Sequence, residues 1–314
     1  MTVVPTIEVA AGVLRDTTGR VLVARRAPNA HQGGLWEFPG GKREPGEGRR
    51  QALDRELAEE LGIRVTRARP LIRLAHDYGD RKVVLDTWLV EGWQGEPRGR
   101  EGQPLRWVSR SELARLPMPA ADRPILRALA LPPLLAITPP LADDATVLAG
   151  LEPTLARGIG LIQLRLPGLA PVRRRRLARI CAERCRAAGA RLLLNAPPAE
   201  ARAVGAHGVH LSGRRLAALR HPDVLDGLLV GASCHDAAGL RRALAIGADF
   251  ALLSPVLPTA SHPHARPLGW PGFAALVDEL PLPVYALGGL DAGRLDQAWA
   301  HGAQGVAGIR GLWG

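Results

Sequence analysis

Lysine is nearly missing from this 314-residue chain. Lys42 and Lys82 are the only two, so the formal charge of +11 is carried almost wholly by arginine. Cysteine is scarce as well. Cys181, Cys185 and Cys234 supply neither a disulfide framework nor a zinc spacing, and Cys181 and Cys185, at i and i+4 of an expected helix, read as packed thiols. Aromatic residues make up 4% of the chain, too few to offer stacking platforms to single-stranded nucleic acid. The densest basic run, 173–176, opens an apparent helix and reads as a solvated face. No apolar run reaches the roughly 18 residues of a membrane span, and no charged-then-apolar leader opens the sequence. A cytoplasmic protein is therefore expected, with no membrane partner and no direct nucleic-acid binding. The positive potential suits anionic small molecules instead.

What is present is richer. Hydrophobic residues at 46% supply enough material for two cores, and the length suggests about two domains. One stretch, "GGKREPGEGRRQALDRELAEELGI" (residues 40–63), crowds five glutamates and five basic residues together. Glutamates at the spacing of Glu56, Glu59 and Glu60 often make only a solvated helix face. Here i, i+3 and i+4 converge on one patch, while Leu53, Leu57 and Leu61 form a separate apolar stripe that fixes the helix against a core. The basic residues four away are Arg55, toward Glu59, and Arg64, toward Glu60, which leaves Glu56 uncompensated. Pro39-Gly40-Gly41 reads as a permissive turn before the helix, Gly48 as its N-cap and Gly62 as its left-handed C-terminal stop. A one-sided carboxylate cluster suits a hard cation, and Mg²⁺ takes carboxylate oxygens together with substrate phosphates.

Along the chain two rhythms follow one another. Residues 7–14 and 20–25 alternate as strands around the turn Asp16-Thr17-Thr18-Gly19. Further strands are expected near 69–76, at 82–92 and in "LRWVS", with helices near 110–116 and at 122–130. This is an α+β domain, a mixed sheet with flanking helices, over residues 1–132. From 133 to 314 apolar segments recur at 134–138, 159–165, 191–195, 207–211, 228–232, 249–253, 283–287 and 304–309, separated by Ala/Arg/Leu segments of helical character. Eight such units read as a compact (β/α)8 TIM barrel whose function sits at the C-terminal ends of its strands.

The pattern Gly41-x5-Glu47-x7-Arg55-Glu56-Leu57-x-Glu59-Glu60-x-Gly62-Ile63 fills every fixed position of the Nudix box. Together with "VLVARRAPNAHQGGLWEFPGGK" and "WLVEGWQGEPRGREGQPLRWVS", residues 5–130 resemble the MutT-type Nudix hydrolases. That resemblance implies a Mg²⁺-dependent enzyme, with Mn²⁺ as an alternative, that hydrolyses 8-oxo-dGTP to 8-oxo-dGMP and pyrophosphate and so sanitises the nucleotide pool. It also implies the roles. Glu56, Glu59 and Glu60 are ligands or base, with Glu56 the first choice of base; Gly40 offers a carbonyl and Glu101 joins from a loop. Arg55 orients carboxylates with Glu47. Arg26, His31, Glu37, Phe38, Lys42 and Arg81 contact the nucleotide. Asp122, where such enzymes carry asparagine, reads the base.

Residues 134–314 resemble thiamin phosphate synthase and its TenI relatives through Gly208-Val209-His210-Leu211, Ser233-Cys234-His235, "SPVLPT" and Gly288-Gly289-Leu290. The departures are pointed. Pro167 stands where the family has its pyrophosphate-binding lysine, and Ala196 and Arg215 fall where its magnesium-ligand aspartates belong. The barrel is expected to have altered or lost catalysis. It keeps a phosphorylated small-molecule site in which Arg165, Arg215, Gly288 and Gly289 take part. A bifunctional thiamin-pathway enzyme, or a barrel serving as a non-catalytic binding module, are the other readings. His262 and His264 read as polar loop residues.

Overall fold

The computed structural model describes residues 5–29, 32–140, 143–260 and 264–314. They divide into two compact units: Met1–Leu129 with Asp278–Pro281, and Ala130–Val277 with Leu282–Gly314.

The first unit opens with strands β1 (Thr6–Leu14), β2 (Val21–Arg25), β3 (Trp36–Glu37) and β4 (Gly40–Lys42). Helix α1 (Arg49–Leu61) follows, then β5 (Arg64–Asp77), β6 (Lys82–Gln94), β7 (Leu105–Val108) and helices α2 (Arg110–Leu113) and α3 (Arg123–Ala130). One sheet has the order β4-β1-β6-β5, with β1 and β6 parallel and the outer pairs antiparallel; the other has the order β3-β2-β7. The first sheet buries both of its faces, which explains why β1 is apolar without alternation at its end. Leu53, Leu57 and Leu61 of α1 pack with Ala10, Leu14 and Val90. Val13, Leu74 and Leu89 pack with Ile125 and Ala128 of α3.

Two expectations need correction. The strands expected at 7–14 and 20–25 are found, and they lie in different sheets, joined among the described residues by the bridge from Arg15 to Val21. Pro39-Gly40-Gly41 is not simply a turn, because Gly40–Lys42 pairs antiparallel with β1, Gly41 opposite Ala10. The strand expected from residue 69 starts at Arg64, directly after α1, and shifts register at several points against β6. Those irregular positions hide its period from the sequence.

In the second unit, strands β8 (Leu134–Ile137), β9 (Leu161–Leu164), β10 (Arg191–Leu194), β11 (Gly208–Leu211), β12 (Leu229–Cys234), β13 (Phe250–Leu253), β14 (Val284–Leu287) and β15 (Gly305–Gly308) close a parallel barrel. Helices α4 (Asp144–Ala156), α5 (Pro171–Ala187), α6 (Pro198–Ala203), α7 (Gly213–Ala218), α8 (Ala237–Ala245), α9 (Gly269–Val277) and α10 (Leu295–Ala300) connect the strands. Each expected strand segment is found, because a parallel strand buried on both faces is a continuous apolar run and stands out. Leu135, Leu161, Leu193, Leu252 and the Phe250–Tyr285 pair, ring centroids 5.3 Å apart, fill the interior. The cysteines are buried thiols. Among the described residues no helix is long and apolar enough to cross a membrane.

Candidate active site

Helix α1 sets the site. Gly48 enters in extended conformation and its N–H donates to Gln51 Oε1 at 2.8 Å. At the other end Gly62, at φ 71°, donates its N–H to Ala58 O at 3.1 Å, a left-handed stop that side chains rarely tolerate. Ala52, Leu53, Leu57 and Leu61 are wholly buried, which fixes the rotation of the helix and turns Glu56 and Glu60 toward β4. There the two glycines matter. A Cβ on Gly41 would lie 2.2 Å from Glu56 Oε2, and one on Gly40 would lie 2.0 Å from Ala10 O. The bareness of Gly41 makes room for the Glu56 carboxylate and that of Gly40 for the β1 backbone, and Gly40 N–H donates to Glu60 Oε2 at 2.8 Å.

Arg55 ties the box together. Its Nε and Nη2 donate to the two oxygens of Glu47 at 2.9 and 3.0 Å, Nη1 donates to Glu56 Oε1 at 2.9 Å and to Glu59 Oε2 at 3.0 Å, and Nη2 reaches Lys42 O at 2.9 Å. Glu56 is therefore not uncompensated: Arg55, its neighbour in sequence, curls back onto it. Nor does Arg64 serve Glu60, since its guanidinium goes to Gln94 Oε1 at 2.5 and 3.1 Å. An i, i+4 count overlooks both, because Arg64 has already left the helix.

The loop after β6 docks on the C-terminal end of α1. Arg98 N–H donates to Leu61 O at 3.0 Å, Arg100 N–H to Glu60 O at 2.9 Å and Gln103 Nε2 to Glu60 O at 3.3 Å, satisfying carbonyls the helix cannot satisfy itself. Gln103 Oε1 in turn accepts from Glu101 N–H at 2.9 Å. This brings Glu101 beside Glu60, where both line a cavity of about 610 Å³ with Arg26 and Glu37. Burial pushes the Glu60 carboxyl up to about 7; the Gly40 N–H opposes this, and the charges of Glu101, Glu37 and Glu56 add to it. Glu56 is also raised, by burial first, against the pull of Arg55.

Such crowding is what a bound cation relieves, and the donors are hard oxygens of the kind Mg²⁺ prefers. Among the described residues no three His, Cys, Asp or Glu side chains stand ready around a common metal position. Glu56 and Glu59 instead lean on Arg55, and the Glu59 side chain is 59% exposed. Magnesium is usually held by one or two carboxylates with substrate phosphates, so an all-protein cage is not required. The residues present fit the ion in kind.

A second cavity, about 200 Å³, is lined by Arg26, Glu37, Phe38, Lys42, Arg81 and Asp122. Gly40 and Tyr78 also contribute to its wall. Arg26 is ion-paired to Glu37, whose carboxyl burial raises. Arg81 is engaged by the adjacent Asp80 at 2.6 Å. Asp122, 6% exposed in the turn before α3, has an Oδ2 without a hydrogen-bond partner. Burial holds its carboxyl up to about 7, with Glu37 reinforcing the shift and Arg26 opposing it. His31 lies outside the described residues. Gln103 and Tyr78 were missed in the sequence reading; the signals were the glutamine two places beyond Glu101 and a lone aromatic in the turn "HDYGD".

In the barrel, Gly288 and Gly289 border a cavity of about 290 Å³ at the strand C-termini. Arg165 and Gly288 belong to the neighbouring cavity of about 250 Å³. Arg215 does not line it but donates from Nη1 to Asn195 Oδ1 at 2.6 Å. His210, fully buried, pairs its Nε2 with Ser233 Oγ at 2.7 Å, and burial holds the imidazole near 3 and so neutral. His262 lies outside the described residues, and His264 is exposed.

The two halves match two families. The family described as NUDIX domain matches residues 10–128, and that described as thiamine monophosphate synthase matches residues 134–312. An 8-oxo-dGTP diphosphatase from Escherichia coli (strain K12) is 41% identical over 123 residues, 39% of this chain and 95% of the relative. A CTP pyrophosphohydrolase from the same organism is 41% identical over 122 residues, 39% of this chain and 90% of the relative. A Geobacter sulfurreducens protein provisionally named thiamine-phosphate synthase is 39% identical over 168 residues, 53% of this chain and 79% of the relative.

Proposed function

Because the chain belongs to the NUDIX family in its first part and to the thiamine monophosphate synthase family in its second, we propose that its first part hydrolyses 8-oxo-dGTP to 8-oxo-dGMP and pyrophosphate with a divalent cation, Mg²⁺ or Mn²⁺. The observation that carries this reading is the buried Asp122 at the end of a cavity that shares Arg26 and Glu37 with the Glu60–Glu101 cavity. That layout gives a base at one end and a polyphosphate among carboxylates at the other.

Oxidation turns guanine N7 from an acceptor into a donor, beside the acceptor O6. A protonated Asp122 meets both, accepting from N7–H through one oxygen and donating to O6 through the other. Its unpartnered Oδ2 and raised carboxyl suit that role. Lys42, Arg81 and Arg26 stand along the cavity to meet phosphate charge. When bound, the cation neutralises part of the triphosphate's charge and so lets water approach phosphorus. Glu56 takes the proton from that water as its oxygen bonds to phosphorus and the bridging P–O bond breaks, releasing pyrophosphate. Arg55 and Glu47 keep Glu56 in place for this. Glu60, anchored on Gly40 N–H, and Glu101, anchored through Gln103, form the remaining carboxylate wall. The boundary between the catalytic part and the barrel is placed at 132.

The 41% identical CTP pyrophosphohydrolase favours a second reading, a pyrimidine nucleoside triphosphate as substrate. Product analysis tests the reaction itself. Pyrophosphate and a nucleoside monophosphate, formed only with added divalent cation, are expected; release of inorganic phosphate would overturn it.

A further inference from the structure

The loop that joins β4 to α1 has no apolar anchor. Glu44, Pro45, Gly46 and Gly48 are exposed, so hydrogen bonds must hold residues 44–48 in place. Yet this loop carries Glu47, whose carboxylate anchors the Arg55 guanidinium. A misplaced Glu47 would pass its error through Arg55 to Glu56, whose Oε1 accepts from Arg55 Nη1 at 2.9 Å. Within the loop, Glu47 N–H donates to Glu44 O at 3.2 Å and Glu44 N–H donates to Glu47 Oε2 at 3.1 Å. Those two bonds shape the turn but do not tie it to the sheet.

Arg43 does. It follows β4 directly, at a position that the box pattern leaves open, and its N–H donates to Glu8 O on β1 at 2.9 Å. From there its guanidinium faces two ways. Nε donates to Glu47 O at 2.6 Å, and Nη1 is ion-paired with Glu8 Oε2. Glu8 is fixed in its turn: it sits within β1 opposite Val84 of β6, and its Oε1 accepts from Arg73 Nη2 at 3.2 Å. Hydrogen bonds with an ionised donor are stronger than neutral ones, and a planar guanidinium serves two acceptors from one placement. A continuous line of contacts therefore leads from β1 through Glu8, Arg43, the Glu47 backbone and Arg55 to Glu56.

We propose that Arg43 and Glu8 are positioning residues for the hydrolytic site. Glu8 orients the Arg43 guanidinium, Arg43 holds the Glu47 carbonyl, and Glu47 so placed lets Arg55 align Glu56. Neither residue lines the two cavities of that site, so both act on kcat through alignment and leave KM alone. This role rests on the reading of Glu56 as base.

The test joins two measurements on the full-length protein. One is steady-state hydrolysis of 8-oxo-dGTP, or of CTP should that be the better substrate. The other is hydrogen exchange, read by mass spectrometry, in peptides covering residues 43–48. Arg43→Ala should lower kcat about tenfold with KM within about twofold, and should speed exchange in those peptides. Glu8→Ala should do the same to a lesser degree. The double variant should be no worse than Arg43→Ala, since one line of contacts is cut twice. Glu8→Gln keeps an acceptor for Arg43 and should recover most of the turnover. Arg50→Ala breaks another ion pair on the same helix, Arg50 Nε to Asp54 Oδ1 at 2.9 Å, and should leave both readouts unchanged. Turnover of Arg43→Ala near that of the parent, a rise in KM alone, multiplicative losses in the double variant, or unchanged exchange would each overturn the proposal. Should Arg43→Ala not fold, Glu8→Ala and Glu8→Gln decide the matter by the same readouts. A parent protein that hydrolyses neither nucleotide would overturn the reading of the site instead, and the exchange rates would still decide whether Arg43 holds Glu47.

Discussion

Arg55 and Glu47 are joined by two parallel hydrogen bonds, Nε to Oε1 at 2.9 Å and Nη2 to Oε2 at 3.0 Å, eight residues apart in the chain. That fork is anchored before the helix begins and leaves Nη1 to reach Glu56 and Glu59. Lysine cannot reproduce it, having a point charge in place of a planar fork. Arg55→Lys should therefore lower kcat by about 10- to 100-fold with little change in KM, since the carboxylates lose their alignment. Steady-state kinetics separate this from a binding defect, which would raise KM first.

Glu56→Gln keeps size and hydrogen bonding but removes the proton acceptor. A loss of about 10²-fold or more in kcat is expected. Thermal melting should match the parent protein, since Glu56 lies against Gly41 and Arg55, apart from the buried leucines that hold the helix. Turnover near that of the parent would remove Glu56 from the role of base.

Asp122 gives a pH signature. Its carboxyl is raised from 3.8 to about 7, so the native state holds this proton more tightly than the unfolded chain does between those values. The contribution to stability is thus present at low pH and lost as pH rises across that window. The protonated form is the one that can donate to O6, so KM for 8-oxo-dGTP should worsen as pH rises through about 7. Asp122→Asn should flatten both profiles while keeping activity. A KM equally pH-dependent in the asparagine variant would assign the titration elsewhere.

Residues 1–132 contain the whole box, Glu101 and Asp122, and should hydrolyse the nucleotide without the barrel. A folded but inactive fragment, judged by circular dichroism beside the assay, would mean that the barrel completes the site.

The full-length protein should not make thiamin phosphate from the two thiamin precursors at a useful rate, because Ala196 and Arg215 stand where the resemblance to the family implies carboxylates. Robust Mg²⁺-dependent synthesis, followed by product chromatography, would contradict this.

Much of this was legible in the sequence, and for identifiable reasons. Parallel barrel strands are uninterrupted apolar runs, and the α1 stripe of Leu53, Leu57 and Leu61 has the helical period, so both announce themselves. The pairing of β4 with β1 was not legible, since three residues containing two glycines carry no period. The placement of β1 and β2 in separate sheets was hidden because local turn chemistry says nothing of non-local partners. At the site, spacing brought Glu56 and Glu60 to one face, but the curl of Arg55 onto its neighbour Glu56 depends on side-chain reach that no i, i+4 rule contains. The hydrogen bond from Gly40 N–H to Glu60, and the docking of residues 98–103 on the end of α1, arise from long-range packing alone.

The most direct test of an oxidised-purine hydrolase is the ratio of kcat/KM for 8-oxo-dGTP to that for dGTP, with CTP measured alongside, at a pH below 7. A ratio well above one, with CTP the poorer substrate and the preference largely erased in Asp122→Ala, is the expected result. A protein that hydrolyses CTP best, or whose 8-oxo-dGTP to dGTP ratio is unchanged in Asp122→Ala, would contradict it.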